Sequence, residues 1–181
     1  MNDAVAALRA GGVVAYPTEA VWGLGCDPRS RAACERVFAI KQRPATQGVL
    51  LIASDFADLE PYIDLPSVPH AALDRALATW PGPHTWVFPR SSAAPEWVAG
   101  AHSGIAVRVT AHPPAVALCR AFAGALVSTS ANRHGEPELR SAAAVRTFFG
   151  DEIDAILNGP LGGLERPTPI RDAITGESVR S

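Results

Sequence analysis

The chain has 181 residues, 48% of them hydrophobic and 19% charged, with a formal net charge of −2, the composition of an ordinary globular protein. A pI near 6.2 excludes the globally basic surface of a dedicated nucleic-acid binder, and no window approaches the roughly 18 to 20 consecutive apolar residues of a membrane helix. The length suits a single domain covering 1–181 with a continuous core.

Met1-Asn2-Asp3 does not begin a basic region followed by an apolar core, so a secretory signal is not expected and a cytoplasmic location is. Cys26, Cys34 and Cys119 contain no C-x-x-C pair and read as reduced, packed thiols rather than a disulfide frame or a zinc site. Residues 3–10 form a short amphipathic helix ended by Gly11-Gly12, and Val13-Val14-Ala15-Tyr16 reads as a buried strand stopping at Pro17. The stretch 17–28 reads as a glycine-punctuated loop, after which Asp27 as N-cap and Pro28 at the first helical position open a helix. Ala33, Val37 and Ile40 recur on its core face, and its C-terminal end delivers Lys41 and Arg43. Lys41 is the only lysine among 16 basic residues; arginine serves everywhere else.

Val49 to Ala53 is a continuous apolar run, as in a strand covered on both faces. Residues 55–62 and 69–80 read as helices, the second with Leu73, Leu77 and Trp80 inward and with Pro81-Gly82-Pro83 ending it. Strands follow at 85–88 and 105–109, where alternation places Ile105, Val107 and Val109 on one face and Arg108 on the other. A helix over 114–123 and a strand at 125–127 lead to the polar run Ser128-Thr129-Ser130-Ala131-Asn132. Ser141 caps a helix through Phe149, a short strand lies at 155–157, and 170–179 form a hairpin around Thr175-Gly176. Strands alternating with helices point to an α/β layer architecture.

Several familiar motifs fail. Lys41 is not preceded by the glycines of a P-loop. Gly23-Leu24-Gly25 begins like a dinucleotide fingerprint, yet Pro28 stands at the third glycine position. No G-x-S-x-G surrounds a serine, and the five histidines lack metal-ligand spacing. What remains is a set of phosphate-friendly groups at strand ends: Thr18, Lys41 with Arg43, and Ser128 to Asn132. On spacing alone, Lys41 and Arg43 are equally cations complementing a helix C-terminus, and Ser128 to Asn132 equally an Asx or Ser/Thr turn.

Six segments in order carry a resemblance: Tyr16-Pro17-Thr18-Glu19-Ala20-Val21-Trp22-Gly23-Leu24-Gly25, Lys41-Gln42-Arg43-Pro44, Trp80-Pro81-Gly82-Pro83-x-Thr85, Ala106-Val107-Arg108-Val109, Ser128-Thr129-Ser130-Ala131-Asn132 and Ile170-Arg171-Asp172-Ala173-x-Thr175-Gly176. Together they resemble the YrdC family in its short bacterial form. The resemblance implies a single-domain α/β fold, a twisted, open, mixed sheet flanked by helices around a large concave cavity. It implies synthesis of threonylcarbamoyl-AMP from L-threonine, bicarbonate or CO2, and ATP, with release of pyrophosphate. ATP is then a substrate, expected with Mg²⁺ from nucleotide chemistry. The product feeds a downstream tRNA threonylcarbamoyl-transfer complex, and tRNA is met indirectly or weakly.

By resemblance Lys41 and Arg43 are catalytic, and with Ser130, Asn132 and Arg180 they hold ATP. Arg108 holds the threonine carboxylate, with Thr18, Ser128, Thr129 and Thr168 beside the amino acid. The pattern departs at Ala20, where longer relatives carry Thr, at Gln47, and at His134-Gly135. The main rival function is a double-stranded RNA or tRNA-binding or ribosome-maturation factor without catalysis, which the net charge and the hydroxyl-amide loop disfavour. A carbamoyl-transfer or hydrolytic domain of a larger maturation protein is the other.

Overall fold

The computed structural model describes residues 1–166 and 168–180, with Arg180 described by its backbone alone. Its helices are α1 (Asn2–Arg9), α2 (Arg31–Lys41), α3 (His70–Leu77), α4 (Glu96–Ala99), α5 (Pro113–Phe122) and α6 (Ala142–Phe149). Its strands are β1 (Val14–Pro17), β2 (Trp22–Gly25), β3 (Leu50–Ala53), β4 (Thr85–Pro89), β5 (Gly104–Val109), β6 (Leu126–Ser130), β7 (Ala155–Ile156), β8 (Ile170–Asp172) and β9 (Ser178–Arg180). They join in one mixed sheet ordered β7-β1-β2-β6-β3-β5-β4-β8-β9. The expected α/β sheet flanked by helices is what the chain forms.

Alternation along the strands divides the core in two. On one face Ala15, Leu24, Leu51, Val107 and Val127 join Val37 and Ile40 of α2. On the other, Val14, Tyr16, Ile52 and Leu126 pack against α1 and α5 through Leu8, Leu118 and Phe122. Register puts Leu50, Ser128 and Arg108 on this second face as well. The two helices therefore cover only one end of it, and the other end stays concave and open. Arg108 lies on the face opposite Val107 and Val109, as alternation requires.

Local competition decided the places where the structure departs from the sequence reading. Asp27 does not cap α2: its carboxylate accepts from the Arg29 backbone N–H at 2.9 Å and the Arg29 guanidinium at 3.0 Å. Ser30 caps instead, its Oγ accepting from Ala33 N at 3.3 Å. Residues 55–62 form two 3-10 turns, Phe56–Asp58 and Glu60–Tyr62, because Pro61 has no N–H for a continuing α ladder. In α3 the buried residues are Ala72 and Ala76; Leu73 and, just past the helix, Trp80 pack partly buried against the core as expected, while Leu77 turns outward, 39% exposed. Ser128, Thr129 and Ser130 are not a turn after a strand but the second half of β6, paired to β3 through Ser128 and to β2 through Thr129 and Ser130.

Nor is the stretch after Pro17 all loop, since Trp22–Gly25 form β2. A Cβ on Gly25 would lie 2.5 Å from the Val127 carbonyl and 2.8 Å from Tyr16 Cε1. The glycine makes room for the fully buried Tyr16 ring, a packing role and not a nucleotide fingerprint. Gly25→Ala is therefore expected to lower the unfolding free energy by about 2 to 3 kcal/mol. The readout is a fall in the urea midpoint at unchanged m value; an unmoved midpoint would mean that β2 accepts a side chain there.

Candidate active site

α2 closes in a turn with Gln42 in the left-handed region at φ 51, the Gln42 N–H bonded to Ala39 O and the Arg43 N–H to Phe38 O, each at 3.0 Å. This paired closure is the Schellman arrangement, and it sends Lys41 and Arg43 to different places. Lys41 is 3% exposed. Its Nζ donates to the Ser130 carbonyl, to the Asn132 carbonyl at 2.8 Å and to Asn132 Oδ1 at 3.1 Å. Ser130 Oγ donates to Asn132 Oδ1 at 2.7 Å, Asn132 Nδ2 donates to Glu136 O at 2.6 Å, and the Lys41 carbonyl accepts from His134 N at 2.8 Å. A cation serving only the helix dipole would face solvent; this one gathers the oxygens of a loop 89 residues further on.

Arg43 turns the other way and donates from Nη2 to Gln47 O at 3.2 Å. Its loop is clasped to the segment before β5, with Ala101 N bonded to Thr46 O at 2.9 Å and Val49 N to Val98 O at 2.8 Å. Gly100, at φ 65, sits where a Cβ would come 2.5 Å from Thr46 O.

Arg108 rises from β5 on the open face, 8% exposed. Its Nε and Nη2 donate to Thr85 Oγ1 at 2.9 and 2.7 Å, and Nη2 donates to Thr168 Oγ1 as well. Nη1 meets Glu19 Oε2 at 3.1 Å, an ion pair with both side chains 10% exposed. Nearby, burial pushes the Tyr16 phenol far above its ordinary value, a hydrogen bond with Ser128 offsetting only part of that, so Tyr16 stays protonated.

Thr168 arrives on an irregular strap between β7 and β8. Because β7 is first and β8 eighth in the sheet, the strap crosses the sheet almost from edge to edge. It is fastened on the way. His112 Nε2 meets Pro160 O at 3.0 Å, Gly162 N and Leu164 N donate to Thr18 O and Glu19 O at 3.0 Å each, and the Arg140 guanidinium donates to the Leu164 and Glu165 carbonyls at 2.8 and 2.9 Å.

The result is one cleft in two compartments. Thr18, Arg108, Ser128 and Thr129 border an inner compartment of about 410 Å³. Lys41 and Asn132 border an outer one of about 570 Å³. Arg43, Ser130 and Thr168 border both. Thr129 alternates away from Ser128 along β6, which leaves its main chain toward the cavity. The side chain of Arg180 lies outside the described residues. Gln47 borders both compartments, and Glu19, Thr85 and Thr110 form the layer behind Arg108; the sequence reading gave none of these four a role. Among the described residues no three His, Cys, Asp or Glu side chains are placed to share a metal ion, and no helix is long and apolar enough to cross a membrane.

The model of the Sua5/YciO/YrdC family, described as "Telomere recombination", matches residues 6–180. The chain belongs to the Sua5/YciO/YrdC family. Within it, the threonylcarbamoyl-AMP synthase of Coxiella burnetii (strain RSA 493) is 55% identical over 180 residues, covering 99% of this chain and 96% of that protein. The threonylcarbamoyl-AMP synthase of Halorhodospira halophila is 57% identical, covering 99% of this chain and 93% of its own. Sua5 of P. abyssi, solved in complex with L-threonine, superposes with a TM-score of 0.87 at 32% identity; the match covers 93% of this chain and 49% of that one. The whole cleft, lined from Thr18 to Val179, falls inside the matched Sua5/YciO/YrdC region.

Proposed function

We propose that the chain is a nucleotidyltransferase that makes L-threonylcarbamoyl-AMP from L-threonine, bicarbonate or CO2, and ATP, within one domain spanning 1–181. The observation that carries the reading is the meeting of two unlike compartments at Arg43 and Ser130. One is organised by a buried arginine with hydroxyl partners, suited to an amino-acid carboxylate. The other is organised by a buried lysine and a hydroxyl-amide loop, suited to a polyphosphate. Relatives that share more than half their residues over the full length are named for this reaction.

The threonine carboxylate sits on Arg108 in the inner compartment, with Thr18, Ser128, the Thr129 main chain and Thr168 beside the amino acid. Its amine combines with bicarbonate, losing water, or with CO2, losing a proton, to give a carbamate. A carbamate oxygen attacks the α-phosphorus of ATP, and the bond from that phosphorus to the β-phosphate oxygen breaks. Pyrophosphate leaves with the electron pair. Arg43 forks onto phosphate oxygens, while Lys41 holds Ser130 and Asn132 in place and sets a positive charge beneath them. With the carbamate as nucleophile, the protein supplies positioning and charge neutralisation.

Mg²⁺ comes with ATP as part of the substrate; the cleft offers Glu138 in one compartment and Asp172 in the other but, among the described residues, no acid cluster, so no step is assigned to a resident metal. The mixed anhydride passes to a tRNA threonylcarbamoyl-transfer complex, tRNA itself being met indirectly or weakly. Three free, buried cysteines suit a reducing compartment such as the cytoplasm.

Incubation with ATP, bicarbonate and labelled L-threonine is expected to release pyrophosphate in a strictly threonine-dependent way. ATP turnover indifferent to threonine, or none at all alongside tight binding of duplex RNA or tRNA, would replace this reading with the RNA-binding one.

A further inference from the structure

We propose that Glu19 is the positioning residue of the carboxylate clamp, orienting Arg108 through its side chain and placing Thr168 through its backbone. The inference rests on the reading of Arg108 as the threonine-carboxylate ligand. Glu19 is 7% exposed and stands behind Arg108, outside the walls of both compartments, so it acts through the guanidinium and does not touch substrate.

A guanidinium on a long stem points at a planar carboxylate only if its own plane is held at more than one edge. Thr85 Oγ1 holds one edge through Nε and Nη2, and Glu19 Oε2 holds the far corner through Nη1. Glu19 is itself fixed. Its Oε1 accepts from Thr110 Oγ1 at 2.7 Å, and Thr110 Oγ1 accepts from His112 N at 3.1 Å. The donations run in one direction, from the main chain at His112 to Thr110, then to the carboxylate that Arg108 also donates to. An ionised carboxylate has acceptor sites on both oxygens, so one side chain receives Thr110 and Arg108 together without a competing donor.

The same residue reaches the strap. Glu19 O accepts from Leu164 N and Thr18 O from Gly162 N, and the approach is close enough that a Cβ on Gly162 would lie 2.8 Å from Glu19 Cα. Four residues after Leu164 the strap sets Thr168 Oγ1 against Arg108 Nη2. Side chain and backbone of one residue thus fix both the arginine and the hydroxyl that flank the carboxylate position.

The test compares L-threonine with L-threoninol, which replaces the carboxylate by a CH2OH group, by calorimetry on the full chain. Wild type is expected to favour threonine by at least about tenfold. Glu19→Ala should cut that preference by about tenfold through loss of threonine affinity, while a non-hydrolysable ATP analogue binds within about twofold of wild type. Glu19→Gln keeps an acceptor for Arg108 and a polar contact to Thr110, and should recover most of the preference. Thr110→Val leaves the ion pair in place but frees its outer end, and should cut the preference by roughly threefold; it carries the test if Glu19→Ala does not fold.

An unchanged threonine-to-threoninol ratio in Glu19→Ala, or in Thr110→Val where that variant stands in, overturns the proposal. So does Glu19→Gln behaving like Glu19→Ala, since orientation by hydrogen bonding would then be wrong. A wild type indifferent to the carboxylate removes the Arg108 reading, and this inference with it.

Discussion

Lys41→Ala should lower kcat/KM for threonine-dependent pyrophosphate release by about 10² to 10³, comparable to removing one preorganised donor from an anion-stabilising site. An exposed cation at a helix C-terminus is worth only about 0.3 to 1 kcal/mol of stability and nothing in catalysis. The location of Lys41 sets the larger figure. Its ammonium, 3% exposed, bonds the carbonyls of Ser130 and Asn132 and the Asn132 side chain. Without it, Ser130 Oγ and Asn132 no longer face the outer compartment in a fixed geometry, and the charge beneath them is gone.

The loss should appear in kcat and in the KM for ATP while threonine affinity stays within about threefold, because Lys41 borders the outer compartment and Arg108 the inner one. Lys41→Arg should not restore activity, since a planar fork cannot take the place of a compact ammonium among three converging oxygens. Arg43→Ala, at the junction of the compartments, should cost at least about tenfold. Wild-type rates in a folded Lys41→Ala would put Lys41 outside the chemistry altogether.

The sequence was most legible where one physical constraint acted alone. Ser141 caps α6, its Oγ accepting from Ala144 N at 3.1 Å, because nothing nearby competes for that N–H. Arg108 could be assigned a face because strand alternation leaves two choices and its neighbours Val107 and Val109 take one. Lys41 drew attention as the single lysine in an arginine-rich chain. Spacing alone did not separate a helix-end charge from a phosphate clamp; the tie to Ser130 and Asn132 is long-range and exists only in the fold.

Other features were hidden for reasons of the same kind. Asp27 and Ser30 are both good caps three residues apart, and only the Arg29 contact removes Asp27 from the competition. The polar run from Ser128 to Ser130 looks like a turn because central strands are usually apolar; here the strand is polar where it walls a cleft. Glu19 is the one charged residue between Val13 and Cys26, and a lone acid in an apolar stretch needs a buried partner. That signal was present in the sequence, but its partner 89 residues away was not. Thr85, Thr110 and the strap's fastenings depend on how the sheet edges are bridged, which no local pattern encodes.

Arg108→Ala should separate the two roles that one residue combines. As half of an ion pair whose side chains are each 10% exposed, its loss leaves the Glu19 carboxylate buried without its counter-charge, at an expected cost of about 3 to 5 kcal/mol in unfolding free energy. As the carboxylate ligand, its loss should raise the KM for threonine by at least about a hundredfold, with the KM for ATP nearly unchanged. Arg108→Met combined with Glu19→Gln tests the division. With both charges removed and the volume largely kept, stability should return to within about 1 kcal/mol of wild type, because the isolated buried charge is gone. Threonine recognition should stay lost, since the other guanidinium bordering the inner compartment, Arg43, stands at its junction with the outer one and is given to the phosphates. Urea unfolding and initial-rate kinetics on the single and double variants give both quantities. Activity returning together with stability would mean that Arg108 serves the fold and that the carboxylate is held elsewhere.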